Sequence, residues 1–361
     1  MADLTKPVAV MCFSSGAGGM ERSAVRLARF LSSITTVVLV CKKGSFTEKL
    51  YKEEGGNYSC ESINFFSRVF SPVMLLRTRS IVTDHGIDNV IFFGASELKT
   101  LYFAFLGKRI NLIVWHGTTK SKPKRDFLHR LVYSRVNHHV ALSEHLLRNV
   151  KRIVPESKDA TYRVIRPSFD FNVRIKDKSS ANEPTVNILH LGRIAQGKGQ
   201  LDAVQACKYL HDKGVKFNLK LIGSSDGSDY INDVNKEISH NGLGNLVSIV
   251  GYVSDVTPYF EDADVLLFPS RGEGMPNAFI EALHYDIVCI AYDNTVFPEF
   301  VDMGFYVHLA SDGDISDLSD KLLYVVNNLK LEKQKSIKNI QLSCNYFQVD
   351  RELKQWQEIL H

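Results

Sequence analysis

Two stretches in the second half of the chain hold residue types that can bind a phosphorylated ligand. The first is Gly192-Arg193-Ile194-Ala195-Gln196-Gly197-Lys198-Gly199, directly after the apolar run Val186–Leu191 and before a helix-period segment. Its glycines permit a tight turn, and Arg193 and Lys198 set two cations beside a helix N-terminus whose amides also favour an anion. That chemistry suits a diphosphate. The order is not that of a Walker loop, since G-x-x-x-x-G-K-[ST] is missing, and standing alone the segment would serve equally as a structural turn.

The second stretch runs from Pro269 to Leu283 (PSRGEGMPNAFIEAL), again after an apolar run, Asp264–Phe268. Asn277, with Pro276 before it, reads as the N-cap of a helix. Glu281 then lies one turn inside on the face of Asn277, and Glu273 sits in the loop over the helix mouth. Two carboxylates flanking free amides can accept from sugar or ribose hydroxyls while the amides hold a phosphate. The plain alternative is an acidic loop and a solvated helical glutamate. A third turn, Val250-Gly251-Tyr252-Val253-Ser254-Asp255, offers backbone groups at Gly251–Val253 to the edge of a nucleobase, and by itself is nonspecific.

The elements that must position these residues follow an alternating pattern. In the first half, strand-like runs at Val8–Phe13, Thr36–Cys41, Asn89–Phe93, Asn111–Trp115 and His139–Leu142 are separated by helical stretches at Met20–Leu31, Pro72–His85 and Glu97–Leu106, and followed by a helix capped by Ser143. In Met20–Leu31, Ala24, Leu27, Ala28 and Leu31 share one face, and Arg22, Arg26 and Arg29 the opposite one. The pattern restarts after the polar segment Arg174–Pro184. Runs at Val186–Leu191, Asn218–Ile222, Leu246–Val250, Asp264–Phe268 and Ile287–Ala291 alternate with helices at Gln200–Leu210, Asp229–Asn241 and Asn277–Leu283, and Arg351–Leu360 reads as a last helix. Strand runs without polar alternation, separated by helices, imply parallel sheets covered on both faces. The expectation is an α/β chain of two doubly wound domains, residues 1–172 and 185–345, joined by a linker at 173–184 and facing a central cleft at the carboxyl ends of their strands.

With 361 residues, 44% hydrophobic and 23% charged, the chain is ordinary in composition and long enough for two cores. No apolar stretch is long enough to span a membrane, and the start lacks an apolar signal region, so a cytoplasmic location is expected. The six cysteines (Cys12, Cys41, Cys60, Cys207, Cys289, Cys344) have no C-x-x-C spacing and read as small buried residues in a reducing compartment. The net charge of +4 conceals an asymmetry: residues 1–172 carry 26 Lys+Arg against 14 Asp+Glu (+12), and residues 173–361 carry 18 against 26 (−8). Much of the excess lies in Lys120–Arg152, where Lys120, Lys122, Lys124, Arg125, Arg130, Arg135, Arg148, Lys151 and Arg152 face only Asp126 and Glu144. Interleaved with Phe127, Leu128, Leu131 and Val132, this segment could lie on anionic head groups, although Arg135 falls within the apolar arc of an ideal helix. A solvated basic face is the alternative.

Gly192-Arg193…Lys198-Gly199, Gly251-Tyr252-Val253 and Glu273-x7-Glu281, in this order, resemble the retaining GT-B glycosyltransferases of family four, the "glycosyl transferases group 1" set. In the first half, Gly18-Gly19-Met20-Glu21 resembles the family's G-G-x-E loop, His116-Gly117 its strand-end histidine, Ala141-Leu142-Ser143 the strand before a capped helix, and Val164–Asp170 the segment leading to the linker. The resemblance spans nearly the whole chain. It implies a GT-B fold, with a C-terminal helix (346–361) crossing back to the first domain, and a metal-independent hexosyltransferase without a cofactor. Such an enzyme moves a hexose or N-acetylhexosamine from a nucleotide-sugar, UDP favoured over GDP, to a glycan or lipid-linked acceptor in lipopolysaccharide, O-antigen or capsule-type synthesis.

By the same resemblance, Arg193 and Lys198 would bind the diphosphate and offset charge on the leaving group, Glu273 would take donor-sugar hydroxyls and Glu281 the ribose. Gly192, Tyr252, Val253 and the amides of Met275, Asn277 and Ala278 would complete the donor pocket. Gly18 and Gly19 would admit the donor phosphates, and His116 would sit against the donor sugar. Arg22, Lys120, Lys122, Lys124 and Arg125 are assigned to the acceptor or to a membrane surface at the inner face of the cytoplasmic membrane. Two departures from the family pattern, Ser168 and His284-Tyr285-Asp286, touch donor-sugar detail. His190 reads as structural, and His138 and His139 receive no role. No Asp-x-Asp follows a first-domain strand, so no essential metal is expected. Nucleic acid is not an expected partner, since no helix-turn-helix, zinc or RNP pattern accompanies the basic residues. A dinucleotide-dependent oxidoreductase or epimerase is an alternative prompted by Gly16-Ala17-Gly18-Gly19. It lacks the G-x-G-x-x-G order, and Cys41-Lys42-Lys43 stands where an acidic residue should end the next strand. A noncatalytic sugar-binding relative would be expected to lack Arg193, Lys198 or Glu273, and all three are present.

Overall fold

The computed structural model describes residues 6–67, 71–157, 159–169, 185–225, 227, 229–285 and 287–360. The chain divides into two units, Met1–Ser168 with Val349–His361, and Phe169–Gln348. The linker expected at 173–184, and Asp170 and Asp286, lie outside the described residues.

The first unit runs β1 (Val8–Cys12), α1 (Gly19–Leu31), β2 (Val37–Lys42), α2 (Phe46–Glu54), β3 (Ser59–Ile63), α3 (Pro72–Asp84), β4 (Asn89–Phe93), α4 (Leu98–Ala104), β5 (Asn111–His116), α5 (Phe127–Tyr133), β6 (His138–Ala141), α6 (Glu144–Ile153) and β7 (Thr161–Val164). Its seven strands lie in the order β3-β2-β1-β4-β5-β6-β7, all described pairings parallel. The second unit runs β8 (Val186–Leu191), α7 (Gln200–Asp212), β9 (Phe217–Ile222), α8 (Tyr230–His240), β10 (Val247–Gly251), α9 (Thr257–Asp262), β11 (Val265–Phe268), α10 (Asn277–His284), β12 (Val288–Tyr292), α11 (Phe297–Asp302), β13 (His308–Ala310), α12 (Ile315–Asn327), α13 (Leu329–Ser336) and α14 (Lys338–Tyr346). Its sheet is β10-β9-β8-β11-β12-β13, again parallel. The last helix, α15 (Val349–Gln357), belongs to the first unit.

The central strands are apolar on both faces because helices cover both: β1, β4, β11 and β12 are buried at every position. Helices start where their caps dictate. Ser71 Oγ accepts from Met74 N with Pro72 at the first helical position of α3, and Ser143 Oγ accepts from Leu146 N to open α6. Strand order reverses between β1 and β4 in one sheet and between β8 and β11 in the other. Crevices at the carboxyl ends of such strand pairs are where open α/β sheets take ligands.

The sequence pattern misses the short or polar elements. β3 (SCESI) is a half-exposed edge strand, β13 has three residues, and β7 alternates exposed and half-buried side chains, so none presents an apolar run. The basic stretch Lys120–Arg152 carries Phe127, Leu128, Leu131 and Val132 on a helix that ends at Tyr133, before the Arg135 that an ideal helix would bring into its apolar arc. It comprises a loop, α5, β6 and α6, and Arg135 lies beyond α5, where its guanidinium donates to the carbonyls of Phe105 and Lys108.

α15 is held by a buried carboxylate. Glu352, 5% exposed, accepts from both the amide and the hydroxyl of Ser168 at 2.6 Å, and pairs with Arg26 at 3.5 Å. Trp356 is buried beside it, and Asn111 Nδ2 donates to the carbonyl of Ile359 at 2.7 Å. Ser168, a departure from the family pattern, therefore anchors the terminal helix of its own unit.

Candidate functional site

The two stretches that could hold a phosphorylated ligand emerge from β8 and β11, adjacent strands at the reversal point of the second sheet. Backbone contacts clamp the loops together. Arg271 N donates to Gly197 O at 2.8 Å, and Gly199, at φ +81°, lies so close to Pro269 that a Cβ would come within 2.1 Å of its carbonyl oxygen. Only glycine fits there on both counts. His190, stacked on Phe268 at 5.8 Å, donates through Nε2 to Lys198 O at 2.9 Å. Burial holds its pKa down to about 4, so the ring is a neutral support for the loop, the structural role expected of it.

On this scaffold Lys198 Nζ meets Glu273 Oε1 at 2.6 Å, and Ser270 Oγ donates to the same oxygen at 2.6 Å. The two charges, expected in separate roles, are one ion pair. Glu273 Oε1 orients the lysine, and Oε2 makes no hydrogen bond among the described residues. Arg193 is exposed and its guanidinium has no partner among the described residues. Its carbonyl accepts from Gln200 Nε2 at 3.0 Å, which fixes the turn behind it. A further brace escaped sequence reasoning: Asp202 accepts from Arg271 at 2.9 Å and from Tyr292 Oη at 2.7 Å. No local pattern links positions 202, 271 and 292.

The helix mouth differs in detail from expectation. Pro276, not Asn277, is the N-cap of α10, without a side-chain cap bond; Asn277 is the first helical residue, because the cap position takes the extended backbone that proline also adopts. The amides of Asn277 and Ala278 thus lack intrahelical acceptors and open toward the loop. Met275 is buried beneath them. Glu281, one turn in, has no hydrogen-bond partner among the described residues, and burial raises its pKa to about 7. A desolvated carboxyl without a partner is suited to accept from hydroxyls that a ligand brings.

Tyr252 and Val253 follow β10, two strands away from β8 and so about 10 Å across the sheet. The Gly251 carbonyl accepts one bond from Gly223 N at 2.9 Å; Tyr252 beyond it is exposed and Val253 half-buried. Gly192 approaches Gly223 so closely that a Cβ on Gly223 would meet its carbonyl oxygen at 2.1 Å. The other family departure also packs inward: His284 bonds Ser343 at 2.8 Å and Tyr285 stacks on Phe260 at 5.1 Å, which keeps both for holding α14 and α9.

In the first unit a cavity of about 180 Å³ lies at the carboxyl ends of β1, β4 and β5, lined by Ser14, Met20, Glu97, Trp115, His116 and Lys120 among others. Gly18 N donates to Glu21 Oε2 at 3.0 Å, so the glutamate of the G-G-x-E segment caps its own helix, and a Cβ on Gly19 would meet nothing within 4 Å. Lys120 is partly buried with its pKa lowered to about 8 by burial and by Lys124. It belongs with the cavity more than with an outer basic face, whereas Lys122, Arg125 and Arg22 are exposed. His116 Nε2 lies 3.0 Å from His139 Nδ1, so His139, given no role from sequence, touches the candidate histidine; strand register β5–β6 puts both on one face. Lys42, at the end of β2, donates to Ser15 Oγ at 3.1 Å, placing a cation where a dinucleotide site carries an acidic group for the ribose. Among the described residues no group of three or more His, Cys, Asp or Glu could hold a metal, and no helix is long and apolar enough to cross a membrane.

Residues 185–328 match the family described as "Glycosyl transferases group 1". The α-1,4-N-acetyl-D-galactosaminyltransferase of Campylobacter jejuni that acts on GalNAc-α-(1->4)-GalNAc-α-(1->3)-diNAcBac-PP-undecaprenol is 25% identical over 95% of each chain. A glycosyltransferase structure from Rickettsia africae superposes with a TM-score of 0.83 at 19% identity, covering 98% of this chain and 97% of that one. Anabaena HepE in complex with UDP and glucose superposes at 0.80 with 16% identity, covering 98% and 99%. These structures share the GT-B fold with this chain.

Proposed function

We propose that this chain, a glycosyltransferase of the group 1 type, transfers a hexose or N-acetylhexosamine with retention from a UDP-sugar to a glycan or lipid-linked acceptor of bacterial surface polysaccharide synthesis. The observation that carries the proposal is the clamped pair of loops at the β8–β11 reversal, which bear Arg193 and the Lys198–Glu273 pair and lead into the N-terminus of α10, the helix of Glu281. Arg193 and Lys198 neutralise the diphosphate, and the α10 amides add their dipole. Glu281 takes the ribose hydroxyls, Glu273 Oε2 those of the donor sugar, and the Tyr252–Val253 backbone the base, at a distance a nucleoside can bridge. Gly18 and Gly19 leave room for a phosphate beside α1, and His116 faces the sugar.

For retention without a protein nucleophile, the acceptor oxygen bonds to the anomeric carbon on the face the diphosphate leaves, and a leaving-group oxygen takes the acceptor proton. The protein contributes position and charge. UDP is favoured because HepE, of like fold, holds UDP and glucose; a lipid-linked acceptor is supported by the undecaprenol-linked substrate of the Campylobacter relative. Nothing in this scheme needs a metal. We place the protein at the cytoplasmic face of the membrane, with Lys122, Arg125 and Arg22 toward anionic head groups.

The test is hydrolysis and thermal stabilisation across UDP- and GDP-sugars, with and without excess chelator. A UDP-sugar is expected to be hydrolysed slowly and equally in both conditions. Failure of every nucleotide-sugar to bind or react would leave a noncatalytic relative, and abolition by chelator would refute metal independence.

A further inference from the structure

The buried pair His116–His139 carries an inference about which proton His116 offers to a ligand. His139 is fully buried, stacked between Tyr162 at 4.9 Å and Tyr133 at 5.9 Å. His116 is 2% exposed and lines the cavity. The groups around the pair are Lys120 and Lys124 from the loop after β5, His138 beside His139 on β6, the two tyrosines from α5 and β7, and Glu97 across the cavity. Burial first, then Lys120, with Lys124 acting on His116 and His138 on His139, disfavours a charge on either ring, so each carries a single N–H.

One ring must then donate across the 3.0 Å contact between His116 Nε2 and His139 Nδ1. If His116 donated, the proton of His139 would sit on Nε2, which is buried and has no partner among the described residues. An orphaned buried N–H is the rarer and costlier defect, and the opposite arrangement leaves only a bare ring nitrogen there. We infer that His139 is a positioning residue: its Nδ1–H donates to His116 Nε2 and locks His116 as the tautomer that presents Nδ1–H to the cavity. His116 is thereby a fixed hydrogen-bond donor, suited to a sugar oxygen and unable to act as a base through Nε2. This rests on the reading that His116 meets substrate only for its effect on turnover; the tautomer itself stands independently.

Two measurements test it on the full chain. Long-range ¹H–¹⁵N imidazole spectra, with His116 assigned by its loss in His116→Ala, should show a neutral ring protonated at Nδ1 from pH 5.5 to 8. A ring protonated at Nε2 would overturn the inference whether or not a donor substrate is ever found. In His139→Phe, which keeps the aromatic stack but has no N–H, His116 stays uncharged because its burial is unchanged, but nothing holds its proton on Nδ1. Its spectrum should then show an Nε2–H signal, alone or mixed with Nδ1–H, and hydrolysis of the UDP-sugar should fall several-fold at every pH. His139→Asn, whose amide can donate from nearly the Nδ1 position, should restore the Nδ1–H spectrum and the rate. An unchanged Nδ1–H spectrum in His139→Phe, or the same spectrum in both variants, would refute the positioning role, and circular dichroism confirms that each is folded.

Discussion

The two units share a parallel sheet with a strand-order reversal, yet they prepare their crevices in opposite ways. In the second unit, acidic by composition, the crevice is cross-braced: Lys198 is held by Glu273, Glu273 by Ser270, and the Gly197 and Gly199 turns by Arg271 and Pro269. In the first unit, basic by composition, the cavity is lined by His116, kept uncharged by burial with His139 behind it, and by Lys120, whose pKa burial lowers to about 8. The difference teaches that bulk charge and site charge are separate quantities. The acidic unit still sets two cations, Arg193 and Lys198, on the loop that leads into its crevice, whereas the basic unit keeps the histidine of its cavity uncharged.

Removing the cations of the braced crevice should produce the largest effect. Lys198→Ala and Arg193→Ala are each expected to lower turnover on the order of 10²–10³-fold with the unfolding midpoint unchanged. Near-wild-type rates at saturating donor would dissolve the contrast between the units. Next comes a pair of glycines. Gly199→Ala should destabilise the second unit by ~2–3 kcal/mol, from the left-handed backbone and the encroached Pro269 carbonyl, while Gly19→Ala, with open space around it, should leave stability intact. Denaturant unfolding followed for each unit would read this out, and equal losses at both sites would contradict the clamp.

Glu281 supplies a smaller, pH-dependent effect. Its folded pKa of about 7 lies above the ordinary 4.5, so the folded state binds the proton more tightly. The resulting stability is full below pH 4.5 and is lost as pH rises through 7, amounting to ~2 kcal/mol after allowing for partial exposure. Glu281→Gln should match wild type in melting temperature at pH 5, exceed it at pH 8, and bind UDP about tenfold more weakly at pH 8. A pH-independent difference would remove the buried carboxyl from the account. The smallest effect belongs to the outer cations of the basic unit: Lys122→Glu with Arg125→Glu should reduce low-salt flotation with anionic liposomes by about 1 kcal/mol per charge removed. An absence of low-salt binding by the wild type would confine the basic excess to a solvated face.

What could be read from sequence divides by range. Gly192–Gly199 and Pro269–Leu283 were legible because each is a contiguous strand-end segment whose residue types state their chemistry, and the central strands because burial on both faces leaves unbroken apolar runs. The edge strands β3, β7 and β13 were not, since an edge tolerates polar side chains and shows no period. Within the basic stretch β6 and the Ser143-capped α6 were legible, whereas the end of α5 before Arg135 was not, since charge density carries no signal for where a helix stops.

Local chemistry along the chain thus determined the fold class, the phosphate-type loops and the unequal charge of the two halves. Only tertiary structure decided that Lys198 and Glu273 are one pair, that Ser168 anchors α15 through Glu352, and that His139 abuts His116. The physical reason is that each of these is a contact between segments remote in sequence. Parallel strand register and the close passage of loops at a sheet's reversal point set such contacts, and no residue announces its partner through its own neighbours.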